Sequence, residues 1–343
     1  MRAPVRAARR LLASASRTGM FWPLLRSRAS IFMLHRFHAP EIGVEGHDPK
    51  KLRAALAALR RERFEIVPLQ TLFEDLSSGH NHSRPAVAFT IDDGYLDHAI
   101  VAAPIFAEFD VPVTTFVTTG FLDSRLWFWW DRIEFVFANT KRVSVGLSVG
   151  GRSLQYAWQN DAERRAALNH FISVCKALTE DQKGAAVDAL AHSAEVDVPA
   201  APPLRYSPMT WSDLRRCEKM TMTFGPHTVT HPILSRTSYT QSNREITESW
   251  ERLCAEAAHP VPVWCYPNGQ AGDFGEREIE SLAELDFLGA VTGVAGYADA
   301  RAWRSDVTKR FRVPRFAYLD SPEELLLIAG GVERVKQIVR REA

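Results

Sequence analysis

Long apolar runs are absent from this sequence, and none approaches the ~18 consecutive apolar residues that a membrane-spanning helix needs. The chain has only four cysteines, and no two of them form a C-x-x-C pair, which argues against a zinc ribbon and a redox dithiol. Four cysteines in 343 residues also do not build a disulfide scaffold. The apolar stretches beside the N-terminal arginines are too short for a secretory signal. We therefore expect a cytoplasmic or peripherally membrane-associated protein.

A large excess of charge of one sign is also absent. The 42 lysines and arginines nearly balance the 41 acidic residues, so the chain as a whole offers no basic footprint for nucleic acid. The balance conceals an asymmetry, because residues 1–40 contain eight arginines and no acid, and the rest of the chain is mildly acidic. We assign residues 1–30 to a basic N-terminal arm. Contact of this arm with anionic lipid and a solvated leader are both open interpretations.

Apolar residues make up 46% of the sequence, which is enough for an ordinary globular core. They form short runs that alternate with segments of helical periodicity. Asp48 and Pro49, for example, begin a predicted helix, whereas Pro85 to Ile91 is typical of a strand. Seven or eight such strands separated by helices predict an α/β fold with parallel pairing. This number suits a closed or nearly closed (β/α) barrel better than a small open sheet.

The alternation is interrupted between residues 122 and 207. This segment contains an aromatic cluster from Trp127 to Trp130, for which packing and the stacking of sugar rings are alternatives. It also contains Gly146 to Gly150, which fits the G-x-S-x-G pattern of serine hydrolases but lies where a polar hairpin is expected, so we treat it as a chance match. We predict one barrel over residues 31–343, with a large insertion at about 122–207.

In a (β/α) barrel the reactive groups lie beyond the C-terminal ends of the strands. Polar residues that follow predicted strands at these ends are His35, Asp92, Asp93, His227, His231 and Asn268. The two later histidines stand four residues apart, a spacing that puts both rings on one side of a helical turn. Alone they would more often be ordinary surface or core residues. With Asp93 they form a set of two histidines and a carboxylate, which suits a catalytic zinc site with an open position.

Three motifs resemble those of one family. Phe89 to Gly94 reads F-T-I-D-D-G, His227 to His231 reads H-T-V-T-H, and Tyr266 to Gly269 reads Y-P-N-G. In this order they resemble the polysaccharide deacetylases, the NodB-homology family of carbohydrate esterases. The resemblance implies a distorted (β/α) barrel that removes acetyl groups from an N-acetylated glycan or lipid-linked sugar.

The resemblance also implies roles for individual residues. Asp93, His227 and His231 would bind a divalent metal, usually zinc, and Asp92 would be the general base. The third motif, with Tyr266, Pro267 and Asn268, would line the substrate and supply a backbone N–H near Asn268 to the oxyanion.

The sequence departs from the family pattern in two places. No histidine follows His259, so the late histidine that serves as general acid in much of the family is absent. Phe32 to His35 resembles an early-strand segment of a permuted branch, and we therefore predict His35 as the general acid, with His38 in reserve. Cys265 stands where many members carry an arginine that orients the base. Arg315 is the predicted replacement, and a purely structural salt bridge is the alternative for it.

Two classes of function remain open at this point. The first is a metal-dependent N-deacetylase, with a deformylase or an amidase acting on another amide as its nearest rival. The second is a carbohydrate-binding or assembly component with weakened catalysis. The sequence does not predict the oligomeric state. His80 and His82, in a polar loop ahead of Pro85, are predicted to face solvent.

Overall fold

The computed structural model describes residues 20–80 and 82–342. The chain divides into two compact units, of which the larger extends up to Asp123 and resumes at Pro208, and the smaller is Ser124–Ser207. The first 19 residues of the predicted basic arm lie outside the described residues. Nearer the barrel, Leu25 is buried in the core, and the first strand already begins at Arg28.

The strands of the larger unit are β1 (Arg28–Leu34), β2 (Glu65–Ile66), β3 (Ala86–Ile91), β4 (Val113–Val117), β7 (Met222–Pro226), β8 (Val263–Cys265), β9 (Gly289–Val291), β10 (Ala298–Asp299) and β11 (Phe316–Ala317). Its α-helices are α1 (Pro49–Arg61), α2 (Leu69–Ser78), α3 (Ala103–Glu108), α4 (Thr119–Leu122), α8 (Trp211–Glu218), α9 (Tyr239–Glu256), α10 (Glu276–Glu284), α11 (Ala300–Ser305), α12 (Pro322–Ala329) and α13 (Val332–Glu342). Among the described residues, none of the helices is both long enough and apolar enough to cross a membrane.

The parallel strands form a distorted (β/α) barrel, as predicted. One sheet has the order β10-β1-β3-β4-β7, with β11 also paired to β1, and β8 pairs with β9 in a separate short sheet. Single bridges continue the ring between these sheets. Phe224 of β7 pairs with Pro260 ahead of β8, and Val291 of β9 pairs with Val313 ahead of β11. The ring is therefore closed by isolated bridges instead of continuous ladders.

The alternation of side chains along β3 decides which residues face the barrel interior. The odd-numbered residues of this strand pack in a cluster with residues of α1 and α3. Ala88 packs instead with residues of β8 and β9. Because successive side chains of a strand point to opposite faces, Thr90 and Asp92 continue the inward series. The strand thus delivers the first of the two motif aspartates to the interior, at its C-terminal end.

The smaller unit has a core of its own. It contains the hairpin of β5 (Ser144–Val149) and β6 (Arg152–Ala157), and the helices α5 (Trp129–Asn139), α6 (Asp161–Lys176) and α7 (Glu180–Ser193). Phe171 and Leu190 are fully buried in this core. Ser148 of the G-x-S-x-G segment pairs with Ser153 within the hairpin, so no strand-to-helix elbow exists there. In the aromatic cluster, Phe128 stacks on Trp130 with ring centroids 4.3 Å apart, which is packing within the unit.

Candidate active site

Asp92 lies buried at the interior end of β3 and is held by Arg315. The guanidinium donates from Nη1 to Oδ1 and from Nη2 to Oδ2, each over 2.7 Å. Burial alone would raise the pKa of Asp92, but the charge of Arg315 and these two hydrogen bonds outweigh it and hold the pKa well below its usual range. The carboxylate is therefore ionised at neutral pH, and its orientation is fixed by a two-pronged contact.

Arg315 is itself only 2% exposed and is fixed by further contacts. Its Nε donates to the carbonyl oxygen of Thr292 over 2.9 Å, and Nη1 donates to Oγ1 of Thr90 over 3.0 Å. Nη2 lies 3.3 Å from Sγ of Cys265. Cysteine is small, so its side chain leaves room for the guanidinium that arrives from the segment before β11. The structure thus places Arg315 next to Cys265, the position at which many family members carry the arginine that Arg315 is predicted to replace.

Asp93, His227 and His231 converge next to Asp92. Oδ1 of Asp93 lies 3.6 Å from Nε2 of His227 and 3.5 Å from Nε2 of His231, and the two Nε2 atoms are 3.1 Å apart. Zinc bonds of about 2.0–2.2 Å at tetrahedral angles place neighbouring ligand atoms about 3.3–3.5 Å apart. The triangle of donor atoms therefore has the size that a shared divalent ion requires, and the donor types suit zinc.

His227 is prepared for binding through Nε2. Its Nδ1–H donates to the carbonyl oxygen of Cys265 over 2.8 Å, which fixes the tautomer and leaves the Nε2 lone pair for a ligand. Burial lowers the pKa of His227 to about 4, so the ring is neutral at pH 7. A second group of potential ligands, Asp92, His227 and Cys265, is less suitable. Both oxygens of Asp92 already accept from Arg315, and burial raises the pKa of the Cys265 thiol well above its usual value.

His35 lies on the other side of Asp92. Its Nε2 is 3.8 Å from Oδ2 of Asp92, and 47% of its side chain is exposed. Partial loss of water around the ring lowers the pKa of His35 and outweighs the opposing charge of Asp92. The reserve candidate His38 lies 3.2 Å from Oε2 of Glu45. Of these two histidines, His35 is the one that the structure places beside Asp92.

The third motif forms a tight loop after β8. The ring of Tyr266 is buried and stacks on Phe274 with centroids 3.7 Å apart, so it belongs to the core. Its backbone N–H donates to the carbonyl oxygen of Val291 over 3.3 Å. Asn268 has a φ of 59° and donates from Nδ2 to Oδ2 of Asp273 over 2.5 Å. The Tyr266 side chain therefore contributes to the core and not to the surface of the site.

A sequence model described as polysaccharide deacetylase matches residues 79–287. This chain belongs to the polysaccharide deacetylase family. The match includes the three motifs, whereas His35 and Arg315 lie outside it. No curated protein matches the sequence.

Solved structures of similar fold carry related descriptions. The deacetylase PplD of Streptococcus pyogenes, in complex with acetate, superposes with a TM-score of 0.56 at 18% identity, covering 87% of this chain and 96% of that one. IcaB from Ammonifex degensii superposes with a TM-score of 0.54 at 13% sequence identity, and the match covers 88% of this chain and 97% of IcaB. A de-N-acetylase from Aggregatibacter actinomycetemcomitans superposes with a TM-score of 0.50 at 13% sequence identity, and the match covers 84% of this chain and 94% of that one. These likenesses show the shared fold of the family.

The backbone of this family member is strained where the motif residues meet. Asp93, Thr228, His231 and Asn268 have φ values of 89°, 68°, 61° and 59°, in the left-handed region that non-glycine residues rarely adopt. Each such residue costs on the order of 1–3 kcal/mol, and the surrounding contacts must supply that energy. Four of the ten non-glycine residues with positive φ in the described part of the chain thus lie in the three motifs.

Glu245 on α9 helps to hold the strained backbone of the histidine motif, a role that was not predicted from the sequence. Its Oε2 accepts from the backbone N–H groups of Val229 and Thr230, each over 2.8 Å. Its Oε1 accepts from the hydroxyl of Thr230 over 2.5 Å. The carboxylate is 6% exposed and thus fixes the loop that carries both motif histidines. In the sequence, the feature that could have indicated this role is the position of an acidic residue beside Ile246, on the face of the helix that is buried.

We expect Glu245→Ala to weaken metal binding by about 10–100-fold, because the loop would lose its anchor while both histidines stay. The measurement is a competition between the protein and a chromophoric chelator for zinc. Glu248→Ala on the same helix is the matched control, since Glu248 is half exposed and pairs with Arg244. Equal zinc affinities of the two variants would show that Glu245 does not position the ligands.

Proposed function

We propose that this chain is a metal-dependent hydrolase that removes the N-acetyl group from an acetylated amino sugar in a glycan or a lipid-linked sugar. The observation that carries the proposal is the triangle of Asp93, His227 and His231 beside an ionised, arginine-held Asp92. The family description, polysaccharide deacetylase, supports hydrolysis of an acetylated carbohydrate amide, and two of the similar structures are described as a deacetylase and a de-N-acetylase.

The metal ligands in this proposal are Asp93, His227 and His231, and zinc is the expected ion. When bound, a divalent ion polarises the amide carbonyl and lowers the pKa of water towards ~7. Burial keeps the ring of His227 neutral, and the hydrogen bond to the carbonyl oxygen of Cys265 orients it for this task.

Asp92 is the proposed general base, which accepts the proton of the attacking water. Its two oxygens each accept one hydrogen bond from Arg315, and each retains a further lone pair for that proton. Arg315 thus acts as a positioning residue. The loop of Tyr266, Pro267 and Asn268 is proposed to line the substrate and to offer backbone N–H near Asn268 to the developing oxyanion.

His35 is the proposed general acid, which protonates the departing amine. It borders Asp92 and its side chain is about half exposed, so it lies at the boundary between the base and the substrate side. The segment that carries His35 is held in place by two residues that follow β3. His98 donates from Nε2 to the carbonyl oxygen of His35, and Asp97 accepts from the N–H of Phe37 over 2.6 Å.

The test of the proposal is an assay of acetate and free amine released from chitooligosaccharides and poly-N-acetylglucosamine, together with metal analysis. We expect release that depends on bound metal. A formylated substrate and a non-sugar amide in the same panel distinguish a deformylase or an amidase. Stoichiometric metal with no release from any substrate would support the carbohydrate-binding alternative.

We expect His35→Ala to lower kcat by about 10²–10⁴-fold, because the leaving amine would depart without a proton donor. The measurement is steady-state acetate release at saturating substrate. His38→Ala is the matched control, since this histidine is also partly exposed, lies three residues away and contacts Glu45. A His35→Ala rate within a few-fold of the His38→Ala rate would refute the assignment.

A further inference from the structure

A second cluster of potential metal ligands lies away from the active site. It consists of Asp75, His80 and His82, whose ligand atoms all lie within 4.8 Å of one another. Asp75 is near the end of α2, and the two histidines are in the loop that leads to β3. The active-site aspartates follow the opposite end of the same strand. This cluster, which we call the loop site, therefore shares no residue with the catalytic set.

His82 is buried, in contrast to the prediction that this loop faces solvent. Its side chain is only 5% exposed. Neither ring nitrogen makes a hydrogen bond of acceptable geometry with any residue of the described chain. A buried imidazole without such a partner is costly, and each polar group left in this state requires an explanation.

The distances around His82 resemble those around a metal-bound histidine. Nε2 lies 3.5 Å from Oδ2 of Asp75, which is long for a hydrogen bond but matches the separation of two ligands on one tetrahedral ion. Nδ1 lies 3.0 Å from Oε1 of Glu65 on β2. A carboxylate behind the second ring nitrogen is the usual support of a metal-binding histidine.

His80 is placed to complete the set. Gly79 ends α2 with a φ of 79°, and the backbone N–H of His80 then donates to the carbonyl oxygen of Asp75 over 2.9 Å. The chain thereby turns back towards Asp75. The rings of His80 and His82 have centroids 5.2 Å apart and are nearly perpendicular. The exposed His80 side chain reaches the cluster from the solvent side.

We propose that Asp75, His80 and His82 bind a divalent transition metal, of which zinc fits two imidazoles and a carboxylate well. The carboxylate of Glu65 lies beside the other ring nitrogen of His82, 3.0 Å away. The ion ties the end of α2 and the start of β3 to each other, with β2 held through Glu65. Because the ion binds only the folded arrangement, it stabilises that arrangement. The rival interpretation is an imidazolium held between Glu65 and Asp75, with no metal.

The experiment uses the full chain, stripped of metal and then titrated with zinc. In the His231→Ala background, which disables the catalytic ligands, the protein should still bind one zinc ion per chain and unfold at a higher temperature when zinc is added. Adding His80→Ala should abolish both effects. His80 is exposed, so this change is not expected to impair folding, and His82→Ala serves as a second variant. His259→Ala, an exposed histidine elsewhere, is the control.

The outcomes separate this inference from the proposed function. If folded His231→Ala binds no zinc, or if His231→Ala/His80→Ala still binds it with the same thermal shift, the loop site is refuted. In the otherwise unchanged chain, His80→Ala should lose one zinc ion and keep deacetylation. An absence of deacetylation in every chain would count against the proposed function, while zinc binding that depends on His80 would still support the loop site.

Discussion

Asp92→Asn should abolish most of the hydrolysis and leave metal binding intact. The asparagine retains the shape of the side chain but accepts no proton at neutral pH, so the attacking water would lose its base. General-base catalysis is typically worth about 10²–10⁴-fold in rate, and we expect a loss of kcat in this range. The metal should stay because the three proposed ligand atoms belong to Asp93, His227 and His231. Acetate release and zinc content are measured on the same preparation.

The matched comparison for this prediction is His231→Ala. This variant removes a proposed ligand whose Nε2 lies 3.5 Å from Oδ1 of Asp93, so it should lose both the catalytic zinc and the activity. Zinc bound at the loop site is counted separately by adding His80→Ala to both proteins. Loss of the catalytic zinc in Asp92→Asn would contradict the proposal that Asp92 is not a metal ligand. A wild-type rate in this variant would contradict the proposal that Asp92 is the general base.

Much of the barrel could be predicted because strands and helices have different periods. Short apolar runs and helical spacing alternate along the chain, and the structure places strands and helices in that order. The position of Asp92 also follows from local pattern, since it continues the inward-facing series of β3 after Thr90. His227 and His231 could be predicted for a similar reason, because they stand four residues apart within one short motif.

Contacts between distant segments were harder to predict. Glu245 anchors the histidine loop from a helix that begins eight residues after it, and no short motif connects the two. His82 was predicted to face solvent because its neighbours in sequence are polar. It is buried, and the carboxylates beside its two ring nitrogens belong to Glu65 and Asp75, on other elements. The composition of the loop alone does not predict such contacts.

Arg315 lies between these extremes. The resemblance to a branch of the family suggests that Arg315 replaces the arginine missing at Cys265, and a structural salt bridge is the alternative that the sequence leaves open. In the structure the guanidinium contacts both Asp92 and Cys265. The salt bridge is therefore formed with the proposed base itself, and the two interpretations of Arg315 coincide. Its energetic importance can be measured separately from catalysis.

Arg315→Met should destabilise the metal-free protein by about 3–5 kcal/mol, because it leaves the buried carboxylate of Asp92 without its partner. The double variant Arg315→Met/Asp92→Asn should lose much less than the sum of the two single changes, since the uncompensated charge is gone. The measurement is chemical denaturation at neutral pH. Arg53→Met is the control, because Arg53 forms an exposed pair with Glu108 and should cost at most about 1 kcal/mol.

The pH dependence of this destabilisation tests its electrostatic origin. The pKa of Asp92 is lowered by Arg315 in the folded protein, so the pair contributes stability above the unfolded pKa of about 3.9 and loses it as the pH falls further. The unfolded chain titrates in the same way in both proteins, and burial without Arg315 raises the pKa of Asp92 in the folded variant. The difference in unfolding free energy between wild type and Arg315→Met should therefore begin to shrink as the pH falls through that raised pKa, and should continue to shrink at lower pH. A difference that stays constant over this range would assign the effect to lost packing around the Arg315 side chain, and a cost equal to that of Arg53→Met would show that the buried pair does not stabilise the site.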